Sequence, residues 1–196
     1  MDLKSPIKEY LNKLSSPEPV PGGGGTSALV AALGMGLMMM VARIALKRLD
    51  TAKQKSLNKT IKLLEHLRKN AEQIIDLDPK TYQEVIQSYA RLKKLGKTPK
   101  TQAGVETALA NSFRLQADLA LLIIMAKGLL FTIDGSTKGS IRNDLIVASG
   151  LLDGAFHGAW ATARINVVYM KEGKQRQHFE KALGTLEQKF RKIHFE

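Results

Sequence analysis

The sequence predicts an all-α protein: a single-domain bundle of about seven helices, spanning residues 1–196, with a long apolar central helix. Three observations lead there. Aromatic residues make up only 6% of the chain, and Gly, Pro, Asn and Asp turn signals are too sparse to delimit many short strands. Leu, Ala, Met, Ile and Lys, which lose little side-chain entropy in a helix, fill long runs. The breaks between those runs are short, as in helical bundles, and none has the composition of a linker between domains. At 44% hydrophobic, the chain is long enough for one sizeable core.

The elements follow in order. Leu3 to Leu14 is amphipathic, with Ile7, Leu11 and Leu14 on one stripe, and Pro17, Pro19 and Pro21 then hold the chain extended. Gly22 to Gly25 form a glycine turn, Thr26 is the expected N-cap, and Ser27 to Leu46 is a helix apolar on every face with Arg43 its only charge. Gly34 and Gly36 leave room on it for a close neighbour. Thr51 to Ile75 is amphipathic through Leu57, Ile61, Leu64, Ala71 and Ile75. Asp78 is placed to cap a new helix with Pro79 at its first position, continued by Tyr82, Val85, Ile86, Tyr89 and Leu92. Gly96 and Pro99 mark a loop within the basic stretch Arg91 to Lys100. Thr101 to Phe131 is the next long helix, Ile133 to Gly139 a break, and Ile141 to Met170 another long helix. After Gly173 a basic amphipathic helix runs to the C-terminus.

Thirty Lys and Arg against 18 Asp and Glu give a net charge of +12, so the expected partner is anionic: nucleic acid, a membrane surface or a metabolite. The absence of cysteine excludes disulfides, thiol nucleophiles and cysteine-ligated metals. The charged N-terminal stretch lacks the apolar segment of a secretory signal, and a cytoplasmic protein is expected. Ser27 to Leu46 is long enough to span a bilayer, but Arg43, its small residues and the helices available to cover it favour a buried soluble helix, with no membrane partner.

Several clusters are candidates for chemistry. Prolines and four glycines ahead of a helix can make a concavity of backbone N–H groups that binds an anion or a carbonyl; a flexible turn is the other reading. It is not a nucleotide-binding P-loop, because Thr26 and Ser27, not Lys, follow the last glycine. Asp144 opens an apolar helix and shares an azimuth with Thr162, with Asn166 close by, yet the helix separates them by roughly 27 to 33 Å. They can meet only between subunits. Asp153, one turn from His157, reads as a stabilising helix pair, and so does Asp118 with Arg114. No metal site is expected, since no second ligand stands at the right spacing around His157. The methionines at 35, 38, 39 and 40 read as packing.

Taken in order, PVPGGGGTSALVAALG (19–34), IIDLDPKTY (74–82), ARLKK (90–94) and NDLIVASGLLDGAFHGAWATARINV (143–167) make the chain resemble the cyclodeaminase and methenyltetrahydrofolate cyclohydrolase domain of the formiminotransferase-cyclodeaminase family. The resemblance implies a helical homodimer with folate as its substrate, no separate cofactor, and a groove lined by the glycine turn and the Asp144 helix. It also implies a lyase step, in which N10 of formiminotetrahydrofolate attacks the amidine carbon and ammonia leaves, or a hydrolase step, in which water opens the methenyl ring. Asp144, Lys94 and Asp78 or Asp76 are the catalytic candidates it suggests, and Pro21, Gly22, Gly23, Gly24, Gly25, Thr26, Ser27 and Asn166 the substrate-binding ones. The glutamate tail of folates gives the basic charge a second reading, beside nucleic acid. The pattern departs from the family at Gly25, where Ser is usual, at Lys93 and Arg114, where Pro is usual, and at Thr162, where Asn is expected.

Overall fold

The computed structural model describes residues 6–195, and among these the secondary structure is helical throughout. The helices are α1 (Ile7–Leu14), α2 (Gly23–Leu46), α3 (Thr51–Leu95), α4 (Pro99–Gly128), the short α5 (Leu130–Asp134), α6 (Arg142–Tyr169) and α7 (Lys174–Arg191). The expected first helix begins at Leu3; residues 3–5 lie outside the described residues.

Four of these helices form an up-down-up-down bundle. α2 packs between α3 and α6, and α4 closes the far side between the same two helices. Directions follow from side-chain neighbours: Gly23 of α2 faces Thr162 of α6, while Gly34 faces Ala148 and Leu152, so α2 and α6 are antiparallel. The approach is close enough that Gly158 is needed opposite Ser27, whose side chain occupies the space a Cβ would take. Met35, Met38, Leu64, Leu119, Ile123, Leu145 and Leu152 fill the centre with essentially no exposure. Of the four methionines read as packing, Met35, Met38 and Met39 are buried and Met40 is exposed.

α7 lies over the groove between α4 and α6, parallel to α4. Phe179 stacks on Phe113 (centroids 4.1 Å apart) and Phe190 on Phe156 (3.7 Å). The Trp160 indole N–H donates to Leu183 O (3.3 Å), which ties α7 to α6. The outward faces of α2 and α6 leave Leu33, Met40, Ile146 and Val147 exposed. α2 and the stretch from Pro99 to Asp134 are both long and apolar enough to cross a membrane, and half of each most apolar stretch is buried within the bundle.

Two expected boundaries are overturned. Thr26 does not cap α2: the helix starts at Gly23 with Gly22 as its cap residue, and the Thr26 hydroxyl donates back to Gly22 O (2.8 Å). Nor does Asp78 start a helix, because α3 runs unbroken through Pro79 for 45 residues. A proline inside a helix removes one hydrogen bond and crowds the carbonyl four residues earlier. Here that carbonyl belongs to Ile75 and faces Gly25 of α2, where the absent side chain leaves it room. The Asp78 carboxylate, instead of capping, reaches across to α2 and α4.

Two expected pairs are also replaced. Arg114 donates to Asn111 Oδ1 (3.3 Å) and lies over the Phe179 ring, so among the described residues Asp118 has no ion-pair partner and lines a shallow groove with Leu115, Leu121 and Leu122. Asp153 forms an ion pair not with His157 but with Lys127 of α4, while His157 packs edge-on against Phe190.

Partial burial against those leucines pushes the Asp118 carboxyl above its usual 3.8. Below 3.8 folded and unfolded chains both hold the proton, so the group costs nothing. As pH rises from there through the raised folded value, the folded state keeps a proton the unfolded state has released, and stability falls. Asp118→Asn is therefore expected to remove this fall and to be more stable than the wild type at neutral pH but not at acid pH, as urea unfolding across that window would record.

Candidate active site

Beyond the first turn of α2 the bundle is one helix short. α3 continues from Asp78 to Leu95 and α6 from Thr162 to Tyr169 with no further helix between them among the described residues, and the gap is a cavity of about 580 Å³. Its roof is the turn Pro19, Val20 and Gly22 to Gly24. Its walls are Asp78, Tyr82, Ile86 and Tyr89 of α3 and Thr162, Ile165, Asn166 and Tyr169 of α6, and Leu109 and Ser112 of α4 form the floor. The positive N-terminal end of α2 points along this cavity, and the first backbone N–H groups of a helix have no acceptor within it.

Asp78 answers that end from the neighbouring helix. Its Oδ2 accepts from Gly25 N–H (2.9 Å) and its Oδ1 from the Gln116 side-chain amide (2.7 Å), and it is 8% exposed. Burial pushes the Asp78 carboxyl up, opposed by the Gly25 N–H and the Gln116 amide, both of which favour the ionised form. Gln116 is wholly buried and its Oε1 has no partner. Gly24 makes this arrangement possible, since a Cβ there would overlap Asp78 Oδ1 and Gln116 Nε2. α1 braces the roof through buried Tyr10. Its hydroxyl donates to Thr26 Oγ1 (3.1 Å), the Thr26 hydrogen being already committed to Gly22 O.

The predicted site residues divide accordingly. Gly22, Gly23, Gly24, Asp78 and Asn166 line the cavity, and Gly25 reaches it through the N–H held by Asp78. Pro21 is buried behind the turn. Thr26 and Ser27 are not in the wall: each hydroxyl is returned to a carbonyl one turn back, Gly22 O and Gly23 O respectively. Asp76 and Lys94 lie on other faces of α3, outside the cavity lining. Asp144 sits at the opposite end of α6, roughly 27 Å from Thr162 by helical rise.

Sequence reasoning missed the aromatic wall and the amide. Tyr82, Ile86 and Tyr89 follow Asp78 at i, i+4 and i+7 among themselves, a spacing read only as the continuation of a helix, yet all three are more than a third exposed and face the cavity. Gln116 was the signal to notice in α4, a neutral polar residue inside the apolar run LQADLALLIIM. A groove of about 680 Å³ also opens along α3 and α4, with Glu84, Arg91, Lys100 and Thr98 among its lining, but it holds no buried carboxylate.

Comparison with known proteins agrees with this architecture. Residues 6–185 match the family model described as formiminotransferase-cyclodeaminase. The chain is 28% identical over 172 residues to a methenyltetrahydrofolate cyclohydrolase from Methylorubrum extorquens, covering 76% of this chain and 82% of that one. Its fold is similar to that of a formiminotetrahydrofolate cyclodeaminase from Thermotoga maritima, with a TM-score of 0.85 over 97% of this chain and 92% of the other, at 16% identity. The chain is an all-helical bundle of this fold and belongs to the formiminotransferase-cyclodeaminase family.

Proposed function

We propose that the protein is a folate one-carbon enzyme, a formimidoyltetrahydrofolate cyclodeaminase or a methenyltetrahydrofolate cyclohydrolase, whose substrate occupies the cavity at the start of α2. The observation that carries this reading is a buried carboxylate, Asp78, and the free N–H groups of a glycine-built helix start, set in one apolar, tyrosine-lined cavity. Flat aromatic and aliphatic walls suit a pteridine and an aminobenzoyl ring, and fixed backbone donors suit a carbonyl acceptor on such a ligand. Either reaction needs proton transfers at the bridging carbon: in the lyase direction N10 adds and ammonia departs protonated, in the hydrolase direction water adds and loses a proton before the ring opens.

Asp144 is assigned to this chemistry from a second subunit. The apolar residues left exposed on α2 and α6, Leu33, Met40 and Val147, are suited to a homodimer across these two helices. Because α2 and α6 are antiparallel, a two-fold axis across them carries the Asp144 end of one subunit toward the glycine turn of the other. Asp144→Ala is expected to lower kcat by about 10²- to 10⁴-fold, the usual worth of a general acid or base, with folate affinity little changed. Methenyltetrahydrofolate absorbance gives the rate, rising in the lyase reaction and falling in the hydrolase reaction. Mixed dimers of Asp144→Ala with the cavity-filling variant Ile86→Trp should regain activity at one site in two; equal inactivity of the mixture and both parents would overturn the shared site.

A further inference from the structure

Asp78 presents a problem that general catalysis does not answer. Its carboxylate is nine-tenths buried, faces an apolar cavity, and is held by two donors, Gly25 N–H and the Gln116 amide, neither of which carries a positive charge. Among the described residues no lysine, arginine or histidine lines the cavity. An anion desolvated in this way is favourable only when further donors reach it, and each oxygen has taken one of the two hydrogen bonds it can accept. The empty acceptor positions therefore belong to the ligand. Two donors held side by side and parallel match a carboxylate best, which is why guanidinium and amidine groups bind it in a two-pronged way.

On the reading of the cavity as a folate site, we infer that Asp78 anchors the pterin ring, accepting from its N3–H and its 2-amino group. That edge is the amidine-like part of the substrate and lies at the far end of the ring from the one-carbon unit. The orientation follows: the pterin is innermost, between α3 and α6 against Tyr82 and Ile86, and N5, N10 and the bridging carbon face outward, where Asp144 of the partner subunit is assigned. Asp78 is then a binding residue that takes no part in proton transfer to the one-carbon unit. Gln116 is its positioning residue. The amide holds Oδ1 in place at the expense of leaving its own Oε1 unpartnered, and Gly24 keeps the space that the pair needs.

The test compares two ligands on the dimeric wild-type protein by calorimetric titration: 5-formyltetrahydrofolate and its 2-desamino analogue, in which hydrogen replaces the amino group. A site built around that hydrogen bond is expected to bind the analogue at least about 30-fold more weakly, the worth of one hydrogen bond to a charged group. Asp78→Asn should weaken the parent ligand by a similar factor and bring the two ligands to nearly equal affinity. Gln116→Leu should narrow the gap between them, whereas a purely structural role would weaken both ligands alike and leave their ratio unchanged. If Asp78→Asn does not fold, the wild-type ratio decides alone. Parent and analogue bound within about threefold of each other would overturn the anchor while leaving the folate site standing. Failure of both ligands to bind would overturn the folate site and the anchor with it.

Discussion

Gly24→Val is expected to destabilise the protein by about 3 kcal/mol or more, the upper range for overpacking combined with a broken buried hydrogen bond, and to abolish folate binding. The Cβ would stand where Asp78 Oδ1 and Gln116 Nε2 now meet. Neither can retreat easily, since Gln116 is wholly buried and Asp78 is tied to Gly25. Pushing them apart leaves a desolvated carboxylate with one donor and an amide N–H without its acceptor. Gly23→Ala is the control, because a Cβ at Gly23 meets only Thr162 Oγ1, at an ordinary 3.6 Å. Its unfolding midpoint in urea is expected to match the wild type closely while that of Gly24→Val falls, and comparable losses in both would mean that the glycine run is needed for its backbone alone.

Asp153→Ala should be nearly as damaging, although it lies far from the cavity in chemical role. Lys127 is 4% exposed, at the apolar end of α4, with its ammonium over the Phe190 ring (4.6 Å) and paired to Asp153. Removing the carboxylate strands a buried cation. The loss is expected to be about 2 kcal/mol, below the usual cost of breaking a fully buried pair, because the Asp153 side chain keeps 40% of its exposure. The double variant Lys127→Met/Asp153→Ala should recover most of that stability, since an apolar side chain suits the site once no charge needs a partner. A double variant no more stable than Asp153→Ala would mean that the carboxylate acts through something other than Lys127.

The helices themselves were legible because each carries an apolar stripe or an apolar run that a bundle must bury, and the predicted runs reappear as helices except that the two flanking Asp78 are joined in α3. What could not be read was decided by partners distant in sequence. Aspartate and proline at 78 and 79 are a strong local signal for a helix start, and it lost because the Asp78 side chain is worth more to Gly25, 53 residues away, than to its own backbone. The glycine run looked like a turn for a similar reason. Glycine disfavours helix by about 1 kcal/mol per residue relative to alanine, yet the contacts of Gly23 and Gly24 with α6, α3 and α4 carry them into α2. Thr26 and Ser27 were expected at the ligand from the family resemblance; once the helix begins at Gly23, both have a carbonyl one turn behind them and bond to it. Gln116 stands out in α4 only as a neutral polar residue in an apolar run, and nothing within α4 announces its bond to a carboxylate 38 residues earlier.

The central claim, that the cavity at the head of α2 is where a reduced folate binds, is tested most directly by titrating wild type and Ile86→Trp with 5-formyltetrahydrofolate in a calorimeter. Ile86 is half exposed on the cavity wall, so the larger ring fills the cavity without entering the core. Micromolar binding by the wild type that Ile86→Trp abolishes, with its unfolding midpoint unchanged, is the predicted result. No heat with the wild type, or binding that Ile86→Trp leaves intact, would contradict it.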